Sequence, residues 1–184
     1  FGVPRSPLHA LLVAQRSPRW QLHHLFVPAK TFNIASCCSA FTVVEDEEMR
    51  AAFQTENSRL TVNKNNAFAS AAMVAAYRYG APWLEAVRDY LQGNVKAVRD
   101  HLAITQRVEL IEPEGTFLMW LDFRALGLRP DELTAFLRNE AKWAVTRGPA
   151  FGDEGIGFAR LNIACPRAKL ETALGQLSNA VCSI

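Results

Sequence analysis

A long apolar stripe constrains the fold of this chain more than any other sequence feature. Its members follow one another at intervals of three or four residues: Leu84, Val87, Leu91, Val95, Val98 and Leu102. This spacing places side chains on one face of an α-helix, and the stripe runs over about five turns. It predicts a long amphipathic helix that begins near Pro82 and packs against a core, an interpretation we favour over a coiled-coil partner site.

The pattern on both sides of this helix alternates between strand and helix signals. Upstream, apolar runs at 22–27 and 40–44 predict strands, and the segments 45–54 and 67–79 predict helices. Downstream, the same signals predict strands at 108–111, 116–123, 143–146 and 158–165. They predict helices from 130 onward and at 166–180. We therefore expect an α/β class chain with two parts, the first a piece of an α/β layer and the second an α+β unit, with the boundary somewhere along the 82–105 helix.

Composition and charge exclude several function classes. The 184 residues are 49% hydrophobic and 21% charged, and no apolar run reaches the roughly 18 residues of a membrane span. The net charge of +2 is too small to indicate binding to nucleic acid or to an anionic membrane. The four cysteines have neither disulfide-framework nor zinc spacing, which favours free thiols and a cytoplasmic protein.

Lys30 and Arg160 are the two candidate chemical residues. Lys30 follows the first predicted strand and has apolar neighbours, so burial there would favour the neutral amine of a Schiff-base lysine. The alternative is an ordinary solvated lysine. Arg160 stands within an apolar strand, where its forked guanidinium could bind a substrate carboxylate or form an internal salt bridge.

Other chemical motifs are absent from the sequence. It contains no G-x-S-x-G serine elbow, no Walker loop and no G-x-G-x-x-G motif. The four histidines are not at metal-ligand spacing, so we expect no metal site. The glycine-rich segment 152–157 contains two acidic residues, which is more typical of a flexible loop than of a phosphate cradle.

Several ordered motifs resemble one enzyme family. The segment Ala29–Ala35 resembles the lysine motif of class I/II pyridoxal-phosphate (PLP) aminotransferases, specifically of the branch that contains bacterial cystathionine β-lyases (C–S lyases). The resemblance continues, in the family's order, through the segments Ala76–Arg78, Trp83–Leu84, Glu112–Phe123 and Phe158–Arg167. It covers nearly the whole chain.

The resemblance implies a fold-type-I enzyme that is normally a longer chain and a homodimer. This chain would be its C-terminal half, with part of the PLP-binding large domain at 1–85 and the small C-terminal domain at 86–184. Lys30 would bind pyridoxal 5′-phosphate covalently and Arg160 would hold the α-carboxylate of an amino-acid substrate. The implied reaction is C–S β-elimination; the alternatives are an aminotransferase or a non-catalytic truncated remnant.

The sequence also departs from the family's pattern. The family places an Asp, a Tyr and an Asn upstream of the lysine, and none of these residue types occurs before Lys30. Two positions where the family often has phosphate-binding hydroxyls are Val27 and Ala29. Ser36 replaces a family glycine and would be strained if its φ were positive. The hydroxyls within 36–39 are candidates to replace the missing donors.

Overall fold

The computed structural model describes residues 24–62, 64 and 66–184. Those residues form two compact units that divide between positions 86 and 87. The described elements, in chain order, are β1 His24–Phe26, β2 Phe41–Val43, α1 Glu47–Arg59, α2 Ala67–Tyr79, α3 Ala81–Thr105, β3 Glu109–Ile111, β4 Leu118–Asp122, α4 Pro130–Asn139, β5 Thr146–Arg147, β6 Phe158–Asn162 and α5 Arg167–Cys182. The assignment of 1–85 and 86–184 to a large and a small domain stays a prediction.

The first unit is built on a short antiparallel hairpin of β1 and β2. Phe26 lies opposite Phe41 in the register, and their rings stack with centroids 4.8 Å apart. Tyr77 of α2 makes edge contacts with Phe41 at 5.9 Å and with Phe32 at 5.4 Å. These aromatic contacts join the hairpin, the turn after β1 and α2 into one cluster.

Side-chain caps fix where the two helices of this unit begin. The Asp46 carboxylate accepts the Met49 N–H at 2.7 Å, and the acidic first turn of α1 follows it as the sequence predicts. The Asn66 side chain accepts the Phe68 N–H at 2.8 Å at the start of α2, and Gly80 follows that helix. Helix α1 continues beyond the predicted end to Arg59, because no glycine or proline interrupts it.

The second unit is a four-stranded antiparallel sheet packed against three helices. The strand order is β3-β4-β6-β5. Alternate residues of the central strands β4 and β6 point into the core. The core joins these strand residues to α3, α4 and α5, and includes Met119, Leu121, Ala159, Leu161, Val95, Val98, Leu102, Leu133, Phe136, Leu137, Leu170, Leu174 and Leu177.

The predicted stripe lies on α3 and divides into two parts. Val95, Val98 and Leu102 are buried in the core of the second unit. Leu84, Val87 and Leu91, nearer the start of the helix, are only half-buried. The amphipathic helix is therefore present as predicted. The side chains of its apolar stripe are fully buried only in the C-terminal turns.

The strand expected at 143–146 is displaced toward the C-terminus. The observed β5 covers only Thr146–Arg147, while Trp143 is buried in the loop that precedes it. The indole N–H of Trp143 donates to the carbonyl of Ala173 in α5 at 2.8 Å. The apolar run at this place fills the core between elements instead of pairing with a strand. Among the described residues, no helix is both long enough and apolar enough to cross a membrane.

Candidate functional site

Lys30 lies in a backbone turn that directly follows β1. Two hydrogen bonds close the turn: the Phe32 N–H donates to the Pro28 carbonyl at 3.1 Å, and the Ile34 N–H to the Ala29 carbonyl at 2.9 Å. The Lys30 side chain is exposed and has no hydrogen bond or ion pair with any described residue. The burial suggested by its apolar neighbours is therefore not found within this unit. The result is an accessible primary amine on a fixed turn.

The segment after this turn contains the candidate replacement hydroxyls. A short 3₁₀ turn covers Ala35–Cys37, and Ser39 is buried, with its hydroxyl donating to the Cys37 carbonyl at 3.1 Å. Ser36 is exposed, and its φ is not positive; the left-handed residue is Cys38, with φ 48°. The strain considered for Ser36 is therefore absent, and its hydroxyl is the accessible one of the two.

Arg160 lies in the middle of β6, on the face of the sheet opposite the core. It pairs across the sheet with Trp120 on one side and Thr146 on the other. Its guanidinium carbon lies 4.6 Å from the centroid of the Phe151 ring, and one nitrogen donates to the Thr146 hydroxyl at 3.5 Å. No carboxylate of the described residues forms a salt bridge with Arg160, so the internal salt bridge considered as its alternative role is not observed there.

Two further aromatic rings continue from Phe151 along this face of the sheet. Trp120 meets Phe151 edge-to-face at 5.3 Å and stacks on Phe158 at 5.5 Å. The guanidinium carbon of Arg124 lies 4.8 Å from the centroid of the Phe158 ring. These rings were not among the site residues predicted from the sequence. One sequence signal could have identified Phe158: it stands two residues before Arg160, and this spacing places both side chains on one face of a strand.

Asp122 and Arg124 form a tightly bonded pair at the end of β4. The Arg124 guanidinium donates to both Asp122 carboxylate oxygens, with its closest contact at 2.6 Å, and the Arg124 backbone N–H donates at 2.9 Å. The guanidinium hydrogen bonds hold the pKa of Asp122 below its usual range, against the opposing effect of burial. The hydrogen bonds to Asp122, together with the negative charge of its carboxylate, raise the pKa of the Arg124 guanidinium. The charge of Arg124 is thus neutralised, in contrast to that of Arg160.

The histidines and cysteines do not assemble into a metal centre within the part of the chain that the structure describes. His101 instead hydrogen-bonds Ser178 at 2.6 Å and links α3 to α5. The four cysteines, Cys37, Cys38, Cys165 and Cys182, are free thiols. The two predicted site residues belong to different units, Lys30 to the first and Arg160 to the second.

Comparison with known proteins gives matches over most of the chain. The model of the family described as aminotransferase class I and II matches residues 14–177. Protein MalY of Escherichia coli K12 is 36% identical over 83% of this chain and 40% of its own length. Cystathionine beta-lyase PatB of Bacillus subtilis 168 is 34% identical over 84% of this chain and 40% of its own.

A solved structure agrees with these matches. A PLP-bound protein from Clostridium difficile 630 superposes with a TM-score of 0.82 at 37% identity, covering 86% of this chain and 41% of that one. The similarity confirms the predicted α/β, fold-type-I class. The chain spans about two fifths of the length of the relatives that it matches.

Proposed function

Because the chain belongs to the aminotransferase class I and II family, which depends on pyridoxal 5′-phosphate, we propose that it is part of a PLP-dependent C–S β-lyase. The proposal follows the cystathionine β-lyase branch, to which PatB belongs by name. The main support for the proposal is the environment of Arg160. Its guanidinium lies on the sheet face opposite the core and has no acidic partner among the described residues.

The Lys30 turn fits covalent attachment of the cofactor. Its amine is exposed and unpaired among the described residues, and two hydrogen bonds fix the backbone that carries it. Lys30 would hold the cofactor through its Nζ, and the accessible hydroxyl of Ser36 is the candidate donor toward the phosphate. When bound, PLP supplies an electron sink for the negative charge that develops at the substrate Cα.

Lys30 has a second role in the proposed reaction. Its Nζ is a primary amine that, when not bonded to the cofactor, would act as the general base that takes the proton from the substrate Cα. In a lyase, removal of this proton would allow the β-thiolate to leave and be protonated to a thiol, and water would hydrolyse the remaining enamine to pyruvate and ammonia. In an aminotransferase, which the family description also covers, the same amine would hand that proton on without the loss of a leaving group from the substrate.

Arg160 would bind and orient the substrate through its α-carboxylate. A guanidinium offers two parallel N–H donors that match the two oxygens of a carboxylate. The Thr146 hydroxyl and the Phe151 ring hold the guanidinium in place. Because no protein carboxylate of the described residues competes for those donors, this site fits a carboxylate ligand, and the family match makes the α-carboxylate of an amino acid the proposed one.

The assembled form of the protein is also part of the proposal. We expect a homodimer in the complete protein, as the family resemblance implies. The four free cysteines support a reducing compartment such as the cytoplasm.

Borohydride reduction tests the role of Lys30. The complete protein that contains this chain is loaded with PLP, reduced, digested and analysed by peptide mass spectrometry. We expect the cofactor to be fixed on Lys30 in the wild type and in the control Lys169→Arg, and to be absent from Lys30→Arg. A cofactor label on another lysine, or no label, would contradict the proposal.

Product analysis separates the lyase from the aminotransferase. The loaded protein is incubated with cystathionine, and pyruvate and ammonia are measured against transfer of the amino group to a 2-oxo acid. Pyruvate released in equal amount to ammonia supports the lyase. Amino-group transfer without release of ammonia supports the aminotransferase.

A further inference from the structure

The three rings beside Arg160 form a continuous row of aromatic contacts, with an arginine against the ring at each end. We call Phe151, Trp120 and Phe158 the aromatic ladder; neighbouring rings lie 5.3 and 5.5 Å apart. Arg160 covers the Phe151 end at 4.6 Å, and Arg124 covers the Phe158 end at 4.8 Å. Both distances lie within the range of cation–π attraction.

The two ends of the ladder differ in what else each arginine contacts. Arg124 gives its guanidinium donors to the Asp122 carboxylate. Arg160 has only the weak contact with Thr146 and no salt bridge with a described residue. A ring face attracts a guanidinium without accepting its in-plane N–H donors, so Phe151 holds Arg160 while leaving those donors available.

We propose that Phe151 is a positioning residue that holds the Arg160 guanidinium ready for the substrate carboxylate. This inference rests on the proposed function. An unrestrained arginine loses side-chain freedom when it binds a ligand, and a contact that restrains it beforehand reduces that loss. Phe151 is itself in edge-to-face contact with Trp120 of β4, so the ring that holds Arg160 packs against a strand of the sheet.

Replacing the ring tests this role in the complete, PLP-loaded protein. The variants are F151M, which keeps an apolar side chain against Trp120, F151L as a second non-aromatic replacement, and F151Y, which keeps the ring. We expect F151M and F151L to raise KM for the amino-acid substrate about two- to fivefold, with kcat unchanged. F151Y should restore the wild-type KM.

A chemical readout tests the contact without using activity. The rate at which phenylglyoxal modifies Arg160 is measured by peptide mass spectrometry in each variant. Loss of the ring exposes the covered face of the guanidinium, so we expect a rate about two- to fivefold higher in F151M and F151L but not in F151Y. The matched control F158L removes the ring at the other end of the ladder and should leave the Arg160 rate unchanged.

The outcomes separate the two proposals. An unchanged Arg160 modification rate and an unchanged KM in F151M and F151L would overturn the positioning role. If R160Q leaves KM unchanged, the proposed binding of the α-carboxylate fails. A raised KM in F151M that F151Y does not restore would also overturn the role, because the effect would then not depend on the ring.

Discussion

The backbones of Gly148 and Gly155 lie in direct contact. A Cβ added to Gly148 would lie 1.9 Å from the Gly155 carbonyl oxygen, and one added to Gly155 would lie 2.1 Å from the Gly148 carbonyl oxygen. The contact joins the 3₁₀ turns Gly148–Phe151 and Asp153–Gly155. It therefore fixes the loop that brings Phe151 to Arg160.

The substitution Gly148→Ala should destabilise the protein. Its methyl group would collide with backbone atoms, which cannot rotate away as a side chain can, so we expect a loss of about 1–3 kcal/mol in the free energy of unfolding. Denaturant unfolding measures it. Gly115→Ala is the matched control, because a Cβ there meets nothing within 4 Å. Equal stabilities for the two variants would contradict the close packing.

The helices of this protein could be predicted from local sequence signals. The stripe on α3 follows the helical period over its whole length, and the cap at Asp46 marks the start of α1. The aromatic ladder could not be predicted in this way. Its contacts depend on the register that pairs Trp120 with Arg160, and register follows from the whole sheet. Trp143 misled the strand prediction because a buried loop residue is as apolar as a strand residue.

The candidate site residues were predictable in position but not in environment. Lys30 does follow a strand, and Arg160 does stand within one. The apolar neighbours of Lys30 suggested burial, but in the folded turn Phe32 packs against Tyr77 while Lys30 is exposed. Sequence neighbours in a turn point in different directions, so their hydrophobicity does not indicate the environment of the residue between them.

Asn94 is a buried amide that ties α3 to the turn after β6. It is fully buried, and its Nδ2 donates to the carbonyl of Ile163 at 2.7 Å and to that of Cys165 at 3.1 Å. Asn94→Leu would leave both carbonyls without this donor, and we expect a loss of about 2–4 kcal/mol in the free energy of unfolding. Thermal or denaturant unfolding measures it. Gln92→Leu, which replaces an exposed amide on the same helix, should change stability little; similar losses in both variants would rule out this role.

Asp122 should contribute to stability in a pH-dependent way. Its pKa in the folded protein is lowered, mainly by hydrogen bonds from Arg124, so the folded state holds the ionised form more strongly than the unfolded chain does. The contribution is present above the unfolded pKa of about 4 and is lost as pH falls through the lower folded value. Asp122→Asn should therefore lower Tm at neutral pH, and the difference from wild type should shrink as the pH is lowered below about 4. Asp89→Asn, at an exposed position on α3, is the control, and a Tm difference for Asp122→Asn that did not change with pH would contradict the assignment.

Asn33 supplies the left-handed backbone conformation at the end of the turn that carries Lys30. Its φ of 55° lies in the left-handed region, which asparagine tolerates better than most residues and β-branched residues tolerate poorly. Asn33→Val should cost about 1–2 kcal/mol in the free energy of unfolding. It should also speed hydrogen exchange at the Ile34 N–H, whose bond to the Ala29 carbonyl depends on this geometry.

Two further variants make this test specific to backbone conformation. Asn33→Gly keeps the left-handed conformation and should leave the Ile34 exchange rate close to that of the wild type. Thr31→Val places the same β-branched side chain at an exposed position of the turn where φ is not positive. If Thr31→Val and Asn33→Val speed exchange equally, the turn does not depend on a left-handed residue at position 33. If only Asn33→Val does so, the support of the Lys30 amine rests on that residue, and fixation of the cofactor on Lys30 should slow in the same variant.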